Sequence, residues 1–439
     1  MSLRMCSALT ACTAAALAFG LAASLAGSTA SFSRKDYRTG VEPFAVVAGD
    51  LNGDGRPDLV TVNYGVNSIS VFPNQGNGRF AAAVDYATGA GPNDVALGDL
   101  NGDGRPDLVT ANYGAKTISV LVNRGNGSFA PVSYAIGSGP TDVGIGDLNG
   151  DGKPDLVVAD PDANTFSVLL NDGHGGLEAR RDYATGKGPG SVGIGDLNGD
   201  GSPDVATADY DADSVSVLLN KGDGRFAPAV DYETGTGPGW IAVGDLNGDG
   251  KAEIATANYD VDSVSVLLNR RDGTFDAGVD YETGRAPLEV DIADVYGNGR
   301  ADLLTPNSAG NTFSVLANAG AGTFETRTDY RVGRSPTSVA PVDLNRDGKL
   351  DLAVTNSDSN SVSVLLNTTG LCNVPNLKGT TVAVARRALL RAGCRLGKVS
   401  SAYSKTVRKG RVVSQRPDFG AVLPRGGKVN IAVSRGAKR

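Results

Sequence analysis

Histidine, tryptophan and methionine are nearly missing from this chain: its 439 residues include one His (His174), one Trp (Trp240) and two Met. A single imidazole excludes catalysis or zinc binding built on several histidines. His174 lies in Asp172-Gly173-His174-Gly175-Gly176, which reads as an exposed turn. Beyond the N-terminus no apolar run approaches the ~18 residues that span a bilayer, so no membrane span is expected. Glycine is plentiful at 60 residues, but without a Gly-X-Y period, so a collagen-like chain is excluded. With 40% hydrophobic and 20% charged residues the composition is too ordinary for disorder. One sign of charge almost vanishes near the end. Residues 371–439 hold 16 of the 41 Lys and Arg but one of the 48 acids (Asp418), a net of +15. That leaves 25 bases against 47 acids, a net of −22, in residues 1–370. An acidic body with a basic end implies two modules with different partners.

Residues 1–30 read as a secretory signal: Arg4 is the positive start, Ala8 to Ala26 are mostly Ala and Leu, and Ser28-Thr29-Ala30 offers a small-x-small cleavage site. The expected location is secreted, extracellular or cell-wall associated. Leu9-Thr10-Ala11-Cys12 mimics a lipoprotein box, but the apolar run follows Cys12 instead of preceding it. Of the four cysteines, Cys6 and Cys12 leave with the signal. Cys372 and Cys394 then allow one pairing in an oxidising compartment, where a disulfide contributes ~3 kcal/mol by loop entropy.

The body is an internal repeat. Asp-Leu-Asn-Gly-Asp-Gly-x-Pro-Asp-Leu starts at Asp50, Asp99, Asp147, Asp196 and Asp245, with degraded copies at Asp294 and Asp343, at spacings of 49, 48, 49, 49, 49 and 49. In the second unit, β-type runs at Val95–Gly98, Leu108–Ala111, Thr117–Val122 and Phe129–Tyr134 are separated by Gly, Asn and Asp. Four short strands per unit match a propeller blade, a sheet that cannot bury both faces alone. The seventh unit stops after its third strand, Ser361–Leu366, and lacks the closing Asp-Tyr-x-Thr-Gly. That phrase stands at the start of the mature chain, as Phe32 then Asp36-Tyr37-Arg38-Thr39-Gly40, so the N-terminal strand is expected to complete the last blade. The expected fold is an all-β seven-bladed β-propeller with four-stranded blades (31–370), followed by a small α+β domain (371–439).

Each repeat phrase places oxygen ligands on alternate residues of a tight loop, which brings them to one point. In the first loop they are Asp50, Asn52, Asp54 and Asp58, with Gly55 for the turn and the Arg56 carbonyl as a further ligand. Six or seven hard oxygens describe calcium better than magnesium. The other sets are Asp99, Asn101, Asp103, Arg105 and Asp107; Asp147, Asn149, Asp151, Lys153 and Asp155; Asp196, Asn198, Asp200, Ser202 and Asp204; and Asp245, Asn247, Asp249, Lys251 and Glu253. The sixth, Asp294, Asn298, Arg300 and Asp302, has Tyr296 at its third position and is expected to bind weakest; the seventh is Asp343, Asn345, Asp347, Lys349 and Asp351. An EF-hand is excluded because Thr61 or Thr110 stands where its Glu would. These loops hold 20 of the 47 acids, and seven divalent ions would bring the body from −22 to −8.

At these residues the chain resembles the FG-GAP or VCBS repeats of integrin α-chain propellers and many secreted bacterial proteins. Asp85-Tyr86-Ala87-Thr88-Gly89 and Gly91-Pro92 stand where that family has its Phe-Gly and Gly-Ala-Pro elements. The resemblance implies a calcium-binding propeller over about 32–370. It leaves function open, since members include adhesins, sugar-binding lectins and domains attached to polysaccharide lyases. From Val374 the pattern changes. Thr380 or Thr381 can cap a helix carrying Val382, Ala385, Leu389 and Ala392, and strands are expected near Cys394–Val399, Arg411–Gln415 and Lys428–Ser434. With Gln415-Arg416-Pro417 and Val433-Ser434-Arg435-Gly436, this segment is similar to a PASTA domain, departing at Arg408 where that family has Pro. The resemblance implies a bacterial source and a peptidoglycan partner. The +15 charge also favours an anionic wall polymer. No nucleic-acid motif is present.

The residue two past the Pro of each link between units is Ala45, Asp94, Asp142, Ser191, Trp240, Glu289 or Ser338. Such links lie near one rim of a propeller. Trp240 there could stack on a sugar, although packing between blades is the preferred reading. The functional expectation is a calcium-binding adhesion or ligand-binding protein, its ligand a glycan or protein, held non-covalently at the wall. A polysaccharide lyase or hydrolase and a protein-interaction scaffold are the alternatives. No catalytic role is expected, because loops and turns account for nearly every cluster of acids.

Overall fold

A computed structural model describes residues 30–437 except 126, 175, 425 and 426, and only the backbone of 371, 373, 391, 422 and 424. The expected signal, with Cys6 and Cys12, lies outside the described residues. Ala30, where cleavage is expected, is buried, and its carbonyl accepts a hydrogen bond from Tyr330 Oη (2.8 Å).

Seven four-stranded sheets follow one another along the chain. In the second, Pro92–Gly98, Asp107–Asn112, Thr117–Asn123 and Phe129–Ala135 pair antiparallel in chain order. Turns punctuated by Gly, Asn and Asp reverse the chain between them. The second strand of every unit is six residues long and buried throughout, as in Asp58–Asn63 and Asp351–Asn356. Such a strand needs an apolar neighbour on both faces. Successive side chains point to opposite sides of the sheet. So Val60 and Val62 join Val95, Leu108 and Leu121 of the next sheet, while Leu59 joins Ala353 and Val362 of the seventh. Seven apolar cores therefore lie between sheets, the last closing the seventh onto the first. The innermost strands, from Pro43–Gly49 to Pro336–Val342, follow each other in a closed ring.

The ring is locked by its N-terminus, as the repeat phase requires. Phe32–Arg38 pairs antiparallel with Ser361–Asn367, from Phe32↔Asn367 to Arg38↔Ser361, and supplies the fourth strand of the seventh sheet. Register then sorts the loops by face. Gly49 pairs with Asp58 at one end of the first hairpin and Pro43 with Asn63 at the other. The acidic loops thus share one face, and the Gly-Pro links share the opposite face with the turns after the second strands.

The C-terminal module has its own core of Cys372, Val374, Leu377, Ala385, Leu389, Cys394, Val412, Val429 and Ile431. Its helix, Val382–Arg391, is capped by Thr381, whose side chain accepts from the Val384 N–H. It packs beside Arg395–Ala402, which runs parallel to Lys428–Ser434; that strand pairs antiparallel with Val412–Arg416. Cys372 and Cys394 form the expected disulfide, with their Cα atoms 4.6 Å apart.

Candidate functional site

Each acidic loop is organised by its first residue. Asp50 Oδ1 accepts from the N–H groups of Gly53 (2.8 Å) and Asp54 (3.1 Å), and Oδ2 accepts from Gly55 (2.6 Å). Asn52 Oδ1 accepts from Asp54 N–H, and Asp54 Oδ1 from Arg56 N–H. Gly53 and Gly55 both take φ of +77°, which turns these N–H groups inward. The pattern recurs around Asp99, Asp147, Asp196, Asp245, Asp294 and Asp343.

The ninth position has a structural role that spacing alone did not reveal. Asp58 Oδ1 accepts from Asn74 N–H (2.7 Å) and Oδ2 from Leu51 N–H (3.3 Å). The Asn after each third strand then joins two units. Asn123 Nδ2 donates to Pro106 O in its own unit (3.0 Å) and to Leu51 O in the preceding one (2.9 Å). Asn74, Asn171, Asn220, Asn269, Asn318 and Asn367 do the same around the ring. The sequence signal was an Asn repeating sixteen residues after the ninth position.

Among the described residues no three acidic, His or Cys side chains already converge as a metal cluster. The loops nevertheless fit a cation by donor chemistry. Asn345 Oδ1, at the third position of the seventh loop, is buried with no hydrogen-bond partner. Asp351 in that loop is pushed up to about 7, chiefly by burial, with Asp347 and Asp343 adding repulsion. Burial, then Asp54 and Asp50, likewise raises Asp58. Basic side chains at the seventh position partly offset this charge, as Arg56 does on Asp54 (2.6 Å) and Lys153 on Asp151 (3.6 Å). In the sixth loop Tyr296 packs instead into the core between the sixth and seventh sheets, where its hydroxyl meets Tyr330 and the backbone of Ala30.

Six of the seven link positions lie on the innermost strands, and Glu289 stands two residues before one. Asp94 Oδ2 accepts from Val143 N–H, Asp142 Oδ2 from Val192 N–H and Glu289 Oε2 from Val339 N–H, each in the following unit. Ser338 Oγ accepts from Val46 N–H and closes the series. These four therefore tie sheet to sheet, and Trp240 packs against the core between the fifth and sixth sheets. Trp240 is half-buried and faces a cavity. Burial raises Asp94, and burial with the charge of Asp94 raises Asp142. Glu289 is raised by burial and then by Asp291, which burial alone takes to about 6. His174 is exposed, its N–H bonded to Asp172.

A family model described as FG-GAP-like repeat matches residues 50–110, 99–158, 147–207, 196–256, 245–305 and 294–354, more than half of the chain, and a PASTA domain model matches 373–435. Two curated relatives, each named a probable serine/threonine-protein kinase, share that last segment. The one from Clostridium acetobutylicum is 35% identical over 63 residues, 14% of this chain and 10% of the relative. The one from Clostridium perfringens is 36% identical over 67 residues, 15% of this chain and 10% of the relative. This chain thus spans about a tenth of the length of those relatives. Among solved structures, BBS1N in complex with ARL6DN is similar with a TM-score of 0.58 at 13% identity, over 77% of this chain and 97% of that one. Virginiamycin B lyase from Staphylococcus aureus is similar with a TM-score of 0.55 at 14% identity, over 76% of this chain and 99% of that one. These likenesses show a propeller fold. They also correct one expectation, that the chain has no catalytic role. A lyase shares this architecture, so assigning the acids to loops and turns does not separate binding from catalysis.

Proposed function

This chain belongs to the FG-GAP-like repeat family, and on that premise we propose that it is a secreted, calcium-binding, seven-bladed propeller for adhesion or ligand capture, held non-covalently at the bacterial cell wall by its basic PASTA domain. In this reading residues 1–30 are the export signal, 31–370 the ring and 371–439 the wall module. The observation that carries it is one acidic loop recurring in every unit on one face of a closed ring. Calcium would be held in the first loop by Asp50, Asn52, Asp54, Asp58 and the Arg56 carbonyl, and by the equivalent residues elsewhere. There it would supply positive charge among acids that otherwise repel. The chain's own residues shape the loop: Gly53 and Gly55 turn it, and Asp50 gathers its N–H groups.

Melting the full chain in calcium and in chelator tests the metal. A calcium-dependent rise in Tm is expected, and equal Tm in both sinks this part. The wall part rests on charge and family: sixteen bases against one acid in residues 371–439 favour an anionic polymer. Co-sedimentation with purified peptidoglycan sacculi should pellet the chain at low and at high salt. Complete release by salt, or no pelleting at all, reduces that module to a charged spacer.

A further inference from the structure

The face opposite the acidic loops opens at the centre of the ring. A cavity of about 310 Å³ there is walled by Phe44, Tyr210, Trp240 and Leu288, and Glu289 lines it as well. A second cavity, of about 350 Å³, shares Trp240 and Glu289 with the first and is lined by Asp94, Asp142 and Asp291. Among the described residues, no Lys, Arg or His lines either cavity. Tyr210 is held in place by its hydroxyl, which donates to Asp260 at 3.2 Å.

Three observations narrow the occupant. Five acids, Asp94, Asp142, Asp211, Glu289 and Asp291, line the two cavities with no basic side chain among the described residues beside them, so a cation placed there favours their ionised forms and an anion is repelled. Aromatic faces attract the same sign, because a cation over the ring meets its negative quadrupole. The volume falls at the small end of the ~300–1,000 Å³ range of ligand pockets, which suits a small molecule better than a polymer.

We propose that the mouth of the ring binds a small organic ammonium ion, enclosed by Phe44, Tyr210 and Trp240, with the Glu289 carboxyl, ionised once a cation sits beside it, as its partner. This rests on the reading of the ring as a ligand carrier and names the ligand class. Trp240, the single tryptophan of the chain, reports on the site directly. The test titrates the full chain with choline and with glucosamine. Each is paired with a neutral counterpart, 3,3-dimethylbutan-1-ol and glucose, at ionic strength matched with sodium chloride. A saturable change in Trp240 emission is expected with at least one ammonium probe and with neither neutral one. Glu289→Gln should weaken that binding about tenfold or more, as loss of a buried counter-charge does. Tyr210→Leu, at the rim and clear of the buried hydrogen bonds, should weaken it too, and covers the case in which the Glu289 variant fails to fold. The proposal is overturned if no ammonium probe saturates, if the neutral counterparts act equally, or if folded variants bind as the parent does. Calcium-dependent melting and sacculus sedimentation are separate readouts, so a negative titration beside positive results there removes this site alone.

Discussion

At the ninth position of each loop the acid meets structural demands before any ion does. Asp107 takes the N–H of Leu100 on one oxygen and that of Asn123 on the other, and Asn123 reaches across to the preceding unit. Asn123→Ala would leave the Leu51 and Pro106 carbonyls short of a donor in a buried seam. The expected loss is ~1–3 kcal/mol, read by urea unfolding; unchanged stability would show that the seam does not need this side chain. The loops also differ by residue. Tyr296 replaces the Asn of the third position and packs into the core, and Asn298 replaces the Asp of the fifth, so the sixth loop keeps two acids where the others keep three. Asp294→Ala should therefore reduce the calcium-dependent rise in Tm less than Asp245→Ala does. The reverse order would place the weak loop elsewhere.

At the scale of single elements, the strand Phe32–Arg38 and the disulfide carry the sharpest expectations. Removing that strand uncovers the edge of Ser361–Asn367, whose free N–H and C=O groups invite pairing with another copy. A chain shortened by these residues should form oligomers in size-exclusion chromatography, and a stable monomer would mean the ring does not depend on this closure. Reducing Cys372–Cys394 should destabilise the small C-terminal module by ~3 kcal/mol. The seven inter-sheet cores contain neither cysteine, so calorimetry should show a shift in one transition only. A shift of the whole profile would mean the two modules unfold together.

Across the whole molecule the charge of the inner ring sets a pH dependence. Asp94, Asp142, Glu289 and Asp291 all titrate above the ordinary carboxylate range, because burial disfavours their charged forms. An unfolded chain sheds these protons near pH ~4, whereas folded Asp291 keeps its proton up to about 6. The folded state thus holds more protons in between, so this contribution is complete below ~4 and falls as pH rises through the folded values. Tm should decline between about pH 4 and pH 7, and Asp291→Asn should flatten the decline. A flat or rising profile in the parent chain would show that the ring acids do not control stability. The ninth-position acids of the loops shift in the same direction without metal, so the difference between parent and variant is the quantity to read.

The sequence by itself determined the repeating unit, the acid at each loop position, the closing strand and the pairing of Cys372 with Cys394. Each is local or periodic: a 49-residue repeat cannot bury both faces alone, and Asp50-Leu51-Asn52-Gly53-Asp54-Gly55 states its own turn. Ala45, Asp94, Trp240 and Glu289 stood out only as the variable residue of a link. Their meeting around one channel depends on how far each sheet turns before the ring closes, and no window of sequence records that angle. Tertiary structure also decided that Asn123 bonds a carbonyl 72 residues away and that aromatic walls and buried carboxyls share one opening. Local residue patterns fix turns and strands through steric and hydrogen-bond rules that act over a few residues. A site built from one residue per unit exists only once every unit is in place.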